Sequence, residues 1–171
     1  MRIVLAGLAA AVLAAGASPA RSQCFAACFG AKITAESDDI AVKDAAGDCR
    51  RSCDAESEAR LKAMGVAEQT ASCRAHPISL EEFRKVRGAS PSYRVQSNVF
   101  LWDVTNPFPD KVLTKIEVST QTMELNDLAF VGTGVVPPSS TATFVIPAFY
   151  EGYPAVRFSA KVSAIWACDI K

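Results

Sequence analysis

The sequence predicts an α+β chain in which a disulfide-stapled helical hairpin precedes an antiparallel β-sandwich. Three observations lead there. Two Cys-x3-Cys pairs, Cys24/Cys28 and Cys49/Cys53, stand at helical spacing. The apolar pattern of the first half has a helical period. From Ser92 onward it alternates residue by residue, as half-buried strands do.

The N-terminus is set apart first. Met1-Arg2 gives a positive start, an Ala-, Leu- and Val-rich apolar run covers residues 3–15, and small residues lead into Ala20-Arg21-Ser22. Residues 1–22 therefore read as a secretory signal peptide, too short in its apolar part for the roughly 20 residues of a membrane span. Cleavage fits after Ala20 or, preferably, after Ser22, and Arg21-Ser22-Gln23 before Cys24 lacks the small apolar sequence of a lipoprotein signal. The short, Ala-rich form points to a periplasmic or secreted protein.

Composition then limits the function. Hydrophobic residues make up 50% of the 171, charged residues 21%, and 18 basic side chains balance 18 acidic ones. This excludes a nucleic-acid binder relying on bulk positive charge, a disordered acidic tail and a polytopic membrane protein. Without Arg2 and Arg21, 149 residues remain with 16 basic and 18 acidic side chains.

All six cysteines lie beyond the leader: Cys24, Cys28, Cys49, Cys53, Cys73 and Cys168. An even number in an exported chain reads as three disulfides. Residues four apart on a helix stack with Cβ atoms roughly 5–6 Å apart, too far for the approximately 3.8 Å of a disulfide. The partners must come from the other helix. In an antiparallel hairpin paired positions share a constant sum, and Cys24 with Cys53 and Cys28 with Cys49 both add to 77. The turn then falls at residues 38 and 39, where Ser37-Asp38-Asp39 supplies N-cap chemistry. The remaining two cysteines, Cys73 and Cys168, pair by elimination.

The hairpin spans residues 23–65. Its first helix covers about 23–35, burying Phe25, Cys28 and Ile33. The second covers about 40–64, with Val42, Ala46, Cys49, Cys53, Leu61 and Met64 along one stripe and Gly65 as C-cap. Residues 66–91 form a connecting segment of short helices, broken at His76-Pro77. Ser79-Leu80-Glu81-Glu82 is a capping box opening the last of them. Residues 92–171 form the sandwich, with strands at 93–105, 112–120 and 141–146. A closing strand puts Val156, Phe158, Ala160, Val162, Ala164, Trp166 and Cys168 on one face.

Two resemblances follow from these residues. Asn98-Val99-Phe100-Leu101-Trp102-Asp103-Val104-Thr105-Asn106, the 113–119 strand, the Pro137-Pro138-Ser139-Ser140 turn and the closing 158–166 run resemble small extracytoplasmic immunoglobulin-like modules of bacterial envelope proteins, the FxLYD type among them. The twin Cys-x3-Cys segment resembles the helical hairpin of small intermembrane-space chaperones. Both resemblances imply binding or structural roles, and neither supplies catalytic residues.

The chemical inventory agrees. His76 is the single histidine, so no His-based zinc cluster, Cys-His pair or Ser-His-Asp triad can be assembled, and the expectation is no metal and no cofactor. Asp38, Asp39, Asp44 and Asp48 lack the alternation of a calcium loop, and Gly132-Thr133-Gly134 reads as a turn. Asp103, Glu117, Glu124 and Asp127 offer an acid/base pair only if the fold brings two of them together. Aromatic residues provide the hint of recognition. Phe100 and Trp102 lie on a strand that is apolar on both faces. Either the hairpin covers the second face or a partner does. Phe149, Tyr150 and Tyr153 form a second candidate binding surface in a loop.

The sequence thus predicts an exported, non-catalytic binding or structural protein of the bacterial envelope. Its expected partner is another envelope or extracellular protein, with no nucleic acid and no transmembrane segment. One alternative is an inhibitor or chaperone-like accessory that presents the hairpin. Another is a hydrolase with a carboxylate-only site, which an acidic pair converging in one cleft would favour.

Overall fold

The computed structural model describes residues 23–121, 126–149 and 160–171. The predicted signal peptide, Glu124, Tyr150, Tyr153 and the start of the predicted closing strand lie outside them. The chain is α+β, and all of its strand pairings are antiparallel. Among the described residues no helix is long and apolar enough to cross a membrane.

Helix α1 (Gln23–Lys32) and helix α2 (Asp39–Ala63) form the hairpin. The structure joins Cys24 to Cys53 and Cys28 to Cys49, with Cα separations of 5.8 and 5.6 Å. Asp38 caps α2 by accepting from the Ala41 amide at 2.8 Å. At its other end the Val66 amide donates to the Leu61 carbonyl at 3.0 Å around Gly65, whose φ of +75° is one that L side chains rarely adopt. Helix α1 stops short of the expected residue 35. Ser37 Oγ accepts from the Thr34 amide at 2.9 Å and Thr34 Oγ1 from the Glu36 amide at 3.3 Å, so side chains take over the backbone there.

Helix α3 (Ala67–Ser72), strand β1 (His76–Pro77) and helix α4 (Leu80–Ala89) make the connection. The capping box on α4 is complete: Ser79 Oγ accepts from the Glu82 amide, and the Ser79 amide donates to the Glu82 carboxylate at 2.8 Å. Strand β2 (Arg94–Gln96) and strand β3 (Val99–Thr105) replace the single strand expected over 93–105. Ser97 and Asn98 both have positive φ, 49° and 58°, and fold the chain into a tight hairpin with a twist matching that of the strands. Strands β4 (Lys111–Gln121), β5 (Asp127–Val136), β6 (Thr141–Ile146) and β7 (Lys161–Asp169) complete the chain. One sheet has the order β1-β7-β4-β5 and the other β2-β3-β6.

Strand β5 corrects the reading of Gly132-Thr133-Gly134 as a turn, for both glycines lie within its span. A Cβ at Gly132 would come within 3.0 Å of Ile146, and one at Gly134 within 3.1 Å of the Phe144 ring. The glycines let β5 pass close to β6 of the other sheet.

Both sheets feed one core, containing Phe100, Trp102 and Val104 of β3, Phe144 and Ile146 of β6, Leu113, Ile116 and Val118 of β4, and Ile165 and Ala167 of β7. Val86 of α4 closes that core. The other face of β3 and β6 presents Val99, Leu101 and Val145 to Phe25, Phe29, Val42, Ala45, Ala46 and Cys49 of the hairpin. The two apolar faces of β3 are therefore both covered, which is how seven residues of nearly unbroken hydrophobicity fit one strand.

Strict alternation fails on β4 and β7. Leu113 opposes Ala167 but Lys115 opposes Trp166, so Thr114 is extra. Glu117 opposes Ala164 but Val118 opposes Val162, so Ser163 is extra. Each bulge shifts the inward phase by one residue. Val162 consequently shares the core face with Ile165 and Ala167. The expected common face of Val162, Trp166 and Cys168 is corrected: Cys168 joins Val112, Leu61, Val66 and Ile170 in a separate cluster. The Trp166 ring carries the Lys115 ammonium 3.6 Å from its centroid.

Candidate functional site

Helix α2 has 25 residues against 10 in α1, so its C-terminal turns extend past the hairpin partner. Those turns pack instead on α3 and β5. Leu61 is buried against Val66, Val112, Cys168 and Ile170, with Ala67, Cys73 and Val135 around them. Because Ala67 and Ala71 are small, α3 does not fill the space facing α2. A cleft-like cavity of about 410 Å³, open to solvent on one side, remains, walled by Glu58, Leu61 and Lys62 of α2, Ala67, Glu68, Thr70 and Ala71 of α3, and Val135 of β5. Its walls are largely apolar and its charges come from Glu58, Lys62 and Glu68.

The α3 wall is fixed from three sides. Cys73 is bonded to Cys168 on β7 with a Cα separation of 5.9 Å. Lys171 donates its amide to the Gln69 side chain at 3.0 Å. His76, three residues beyond Cys73, meets the Asp169 carboxylate at 2.8 Å. His76 is exposed, and its hydrogen bond to Asp169 raises its pKa, helped by the Pro77 carbonyl. Asp169 is lowered chiefly by Lys111 and then by His76, and Lys111 also faces Glu82 of α4 at 3.4 Å. This chain of charges, exposed at His76 and Asp169 and partly covered at Lys111 and Glu82, ties β1, β4, β7 and α4 together.

Asp54 occupies the seam between α2 and β5. Its carboxylate accepts from the Val135 amide at 3.3 Å and lies 4.0 Å from the Arg50 guanidinium. Burial pushes its pKa up to about 6, opposed by the Val135 amide and Arg50, and the nearby Glu58 carboxylate adds to the rise. Glu58 is one turn further along α2, at the cavity. Asp54 itself does not line it.

The aromatic candidates divide. Phe100, Trp102 and Phe149 are fully buried, which corrects their assignment to a binding surface. Phe149 packs on Phe100 and Phe130 with ring centroids 5.3 and 4.8 Å apart, and the Trp102 indole donates to the Ser90 carbonyl at 3.0 Å. These rings fill the core between the two sheets, while the hairpin covers the opposite face of β3 at Val99 and Leu101. Tyr150 and Tyr153 lie outside the described residues.

Among the described residues the candidate carboxylates Asp103, Glu117 and Asp127 do not converge. Asp103 accepts from Thr143 Oγ1 at 2.6 Å, Glu117 accepts from Ser163 Oγ at 2.7 Å, and Asp127 borders a polar recess of about 160 Å³ with Ser119, Thr120, Gln121 and Lys161. Asp48 is held by Lys32 at 2.8 Å and by Arg51, a solvated helix face. Among the described residues no group of three or more His, Cys, Asp or Glu could hold a metal ion. A small void by Cys24, Cys53 and Thr141, about 20 Å³, has room for about one water.

Sequence reasoning missed the cavity and Asp54. The one available signal was unequal helix length, which leaves Leu61 without a partner in the hairpin. Comparison of the chain with protein-family models, with curated proteins and with solved structures finds no match in any of the three.

Proposed function

We propose that this is an exported, non-catalytic binding protein of the bacterial envelope, periplasmic or secreted, that holds an apolar ligand in the cavity between α2, α3 and β5. Three disulfides support an oxidising compartment. Two antiparallel sheets around one core support the immunoglobulin-like sandwich reading, with the helical hairpin as its cover. The observation that carries the proposal is the cavity: its volume of about 410 Å³ falls in the range of small-molecule sites, and Leu61, Ala67, Ala71 and Val135 give it apolar walls.

The inhibitor or chaperone-like alternative needs a free apolar hairpin face. Phe25, Phe29 and Val42 are instead spent on β3 and β6. The hydrolase alternative has one observation on its side, the raised pKa of Asp54 within a turn of Glu58. Against it, the Asp54 carboxylate is committed to Val135 in the helix–sheet seam.

The test uses the neutral dye N-phenyl-1-naphthylamine and an Ala71→Trp variant that fills the cavity from α3. The parent should enhance the dye's fluorescence saturably, and the variant should lose at least about tenfold in affinity with an unchanged melting temperature, the indole occupying the dye's space. Equal binding by a folded variant would reject the cavity as the site.

A further inference from the structure

We infer that the α2–α3–β5 cavity selects a cationic amphiphile, an apolar chain bearing an amine. This rests on the cavity being the binding site. Two independent observations set the sign of the charge.

The first is the rim. Glu58 on α2 and Glu68 on α3 bring carboxylates to facing walls, and Lys62 is the one cation among the lining residues. Among the described residues neither glutamate has an ion-pair partner within 4 Å. An ammonium between the two walls would meet both glutamates, whereas a carboxylate would have only Lys62.

The second is the direction of α2. The cavity sits at the C-terminal end of a 25-residue helix, beside Leu61 and Lys62 in its last turn. That end carries negative partial charge and favours cations. Helix α3 has six residues and presents a weaker opposing dipole.

The apolar floor holds the chain of the ligand and the rim reads its head, so head groups of different charge on one chain length separate the two contributions. Dodecylamine, dodecanol and dodecanoate, each below its aggregation concentration, are titrated against bound N-phenyl-1-naphthylamine. Dodecylamine should displace the dye at a concentration about tenfold lower than dodecanoate, with dodecanol between them, each rim carboxylate being worth a few-fold at a partly exposed site. The Glu58→Gln/Glu68→Gln double variant should abolish the preference and leave dodecanol unchanged, and higher salt should narrow it in the parent. Dodecanoate displacing as well as dodecylamine, or a preference that survives the double variant, overturns the inference while dodecanol displacement keeps the cavity as the site. Failure of all three amphiphiles to displace the dye, with Ala71→Trp also without effect, overturns the cavity reading and this inference with it.

Discussion

Asp54 of α2 accepts a hydrogen bond from the main-chain amide of Val135 at 3.3 Å, so a helix carboxylate occupies the edge of β5 at the point where that strand leaves its sheet partner open. The contact satisfies an edge amide and blunts an unpaired strand. It also buries a charge.

Burial raises the Asp54 pKa to about 6 from 3.8, so the folded chain holds this proton more tightly than the unfolded one. The corresponding stability is fully present below the unfolded pKa of 3.8 and is lost as pH rises through about 6. Asp54→Asn keeps an acceptor for Val135 and removes the charge. Denaturant melts should find the variant more stable by about 1–2 kcal/mol above neutrality, with the advantage fading at pH values below the unfolded pKa. Parallel stability profiles of variant and parent would contradict a buried, titrating Asp54.

Replacing Cys73 and Cys168 together with Ser opens the longest covalent loop in the protein, a sequence separation of 95. In the chain-entropy model this costs up to about 4.7 kcal/mol. The double variant should melt at a lower temperature and be cut by trypsin near Arg74 and Arg84. Limited proteolysis giving the parent's pattern would mean that the connecting segment is held by its other contacts alone.

Two glycine substitutions should move stability in opposite directions. Gly134→Ala drives a Cβ to 3.1 Å from the Phe144 ring and should destabilise by about 1–3 kcal/mol. Gly88→Ala, in α4 with open space around it, should stabilise by about 0.5–1 kcal/mol through helix propensity. Thermal melts of both variants check the pair, and a neutral Gly134→Ala would show that β5 and β6 can separate freely.

Asn106 is a buried side-chain node. The two hydrogens on its Nδ2 are shared among the carbonyls of Lys111, Val136 and Pro137 at 2.7, 3.2 and 3.1 Å, and its Oδ1 accepts from the Phe108 amide at 3.1 Å. Asn106→Ala leaves these groups unsatisfied and should cost about 2–4 kcal/mol. Denaturation should report the loss with no change in denaturant slope, and a cost below about 0.5 kcal/mol would mean that water replaces the amide.

Local chemistry made much of this fold legible in the sequence. The equal sums of the hairpin cysteines, the Asp38 cap and the Ser79–Glu82 box each depend on residues whose relation is fixed by helix geometry. What escaped depends on distant partners. The bulges at Thr114 and Ser163 exist only in the pairing of β4 and β7 with their neighbouring strands, so alternation misassigned Trp166 and Cys168 to the inward face. Glycines in β5 resembled a turn because the close approach of β6 is invisible from β5 itself. Phe100 and Trp102 were ambiguous for the same reason, since only the packing of the second sheet and α4 on their face of β3 shows that it is covered. The cavity joins residues 58–71 to Val135, and no local pattern links them.

The three disulfides also set how the chain bears load. Tension entering at Cys24 crosses directly to Cys53, and tension reaching Cys73 crosses directly to Cys168. The hairpin as far as Cys53 and the strands between Cys73 and Cys168 are bypassed, because they lie inside covalent loops. Between Cys24 and Cys168 only residues 54–72 remain in series with the pull, and these supply the α2 and α3 walls of the cavity. Stretching the molecule between Cys24 and Cys168 would therefore separate the α2 and α3 walls first, while the strands inside the Cys73–Cys168 loop keep their pairing.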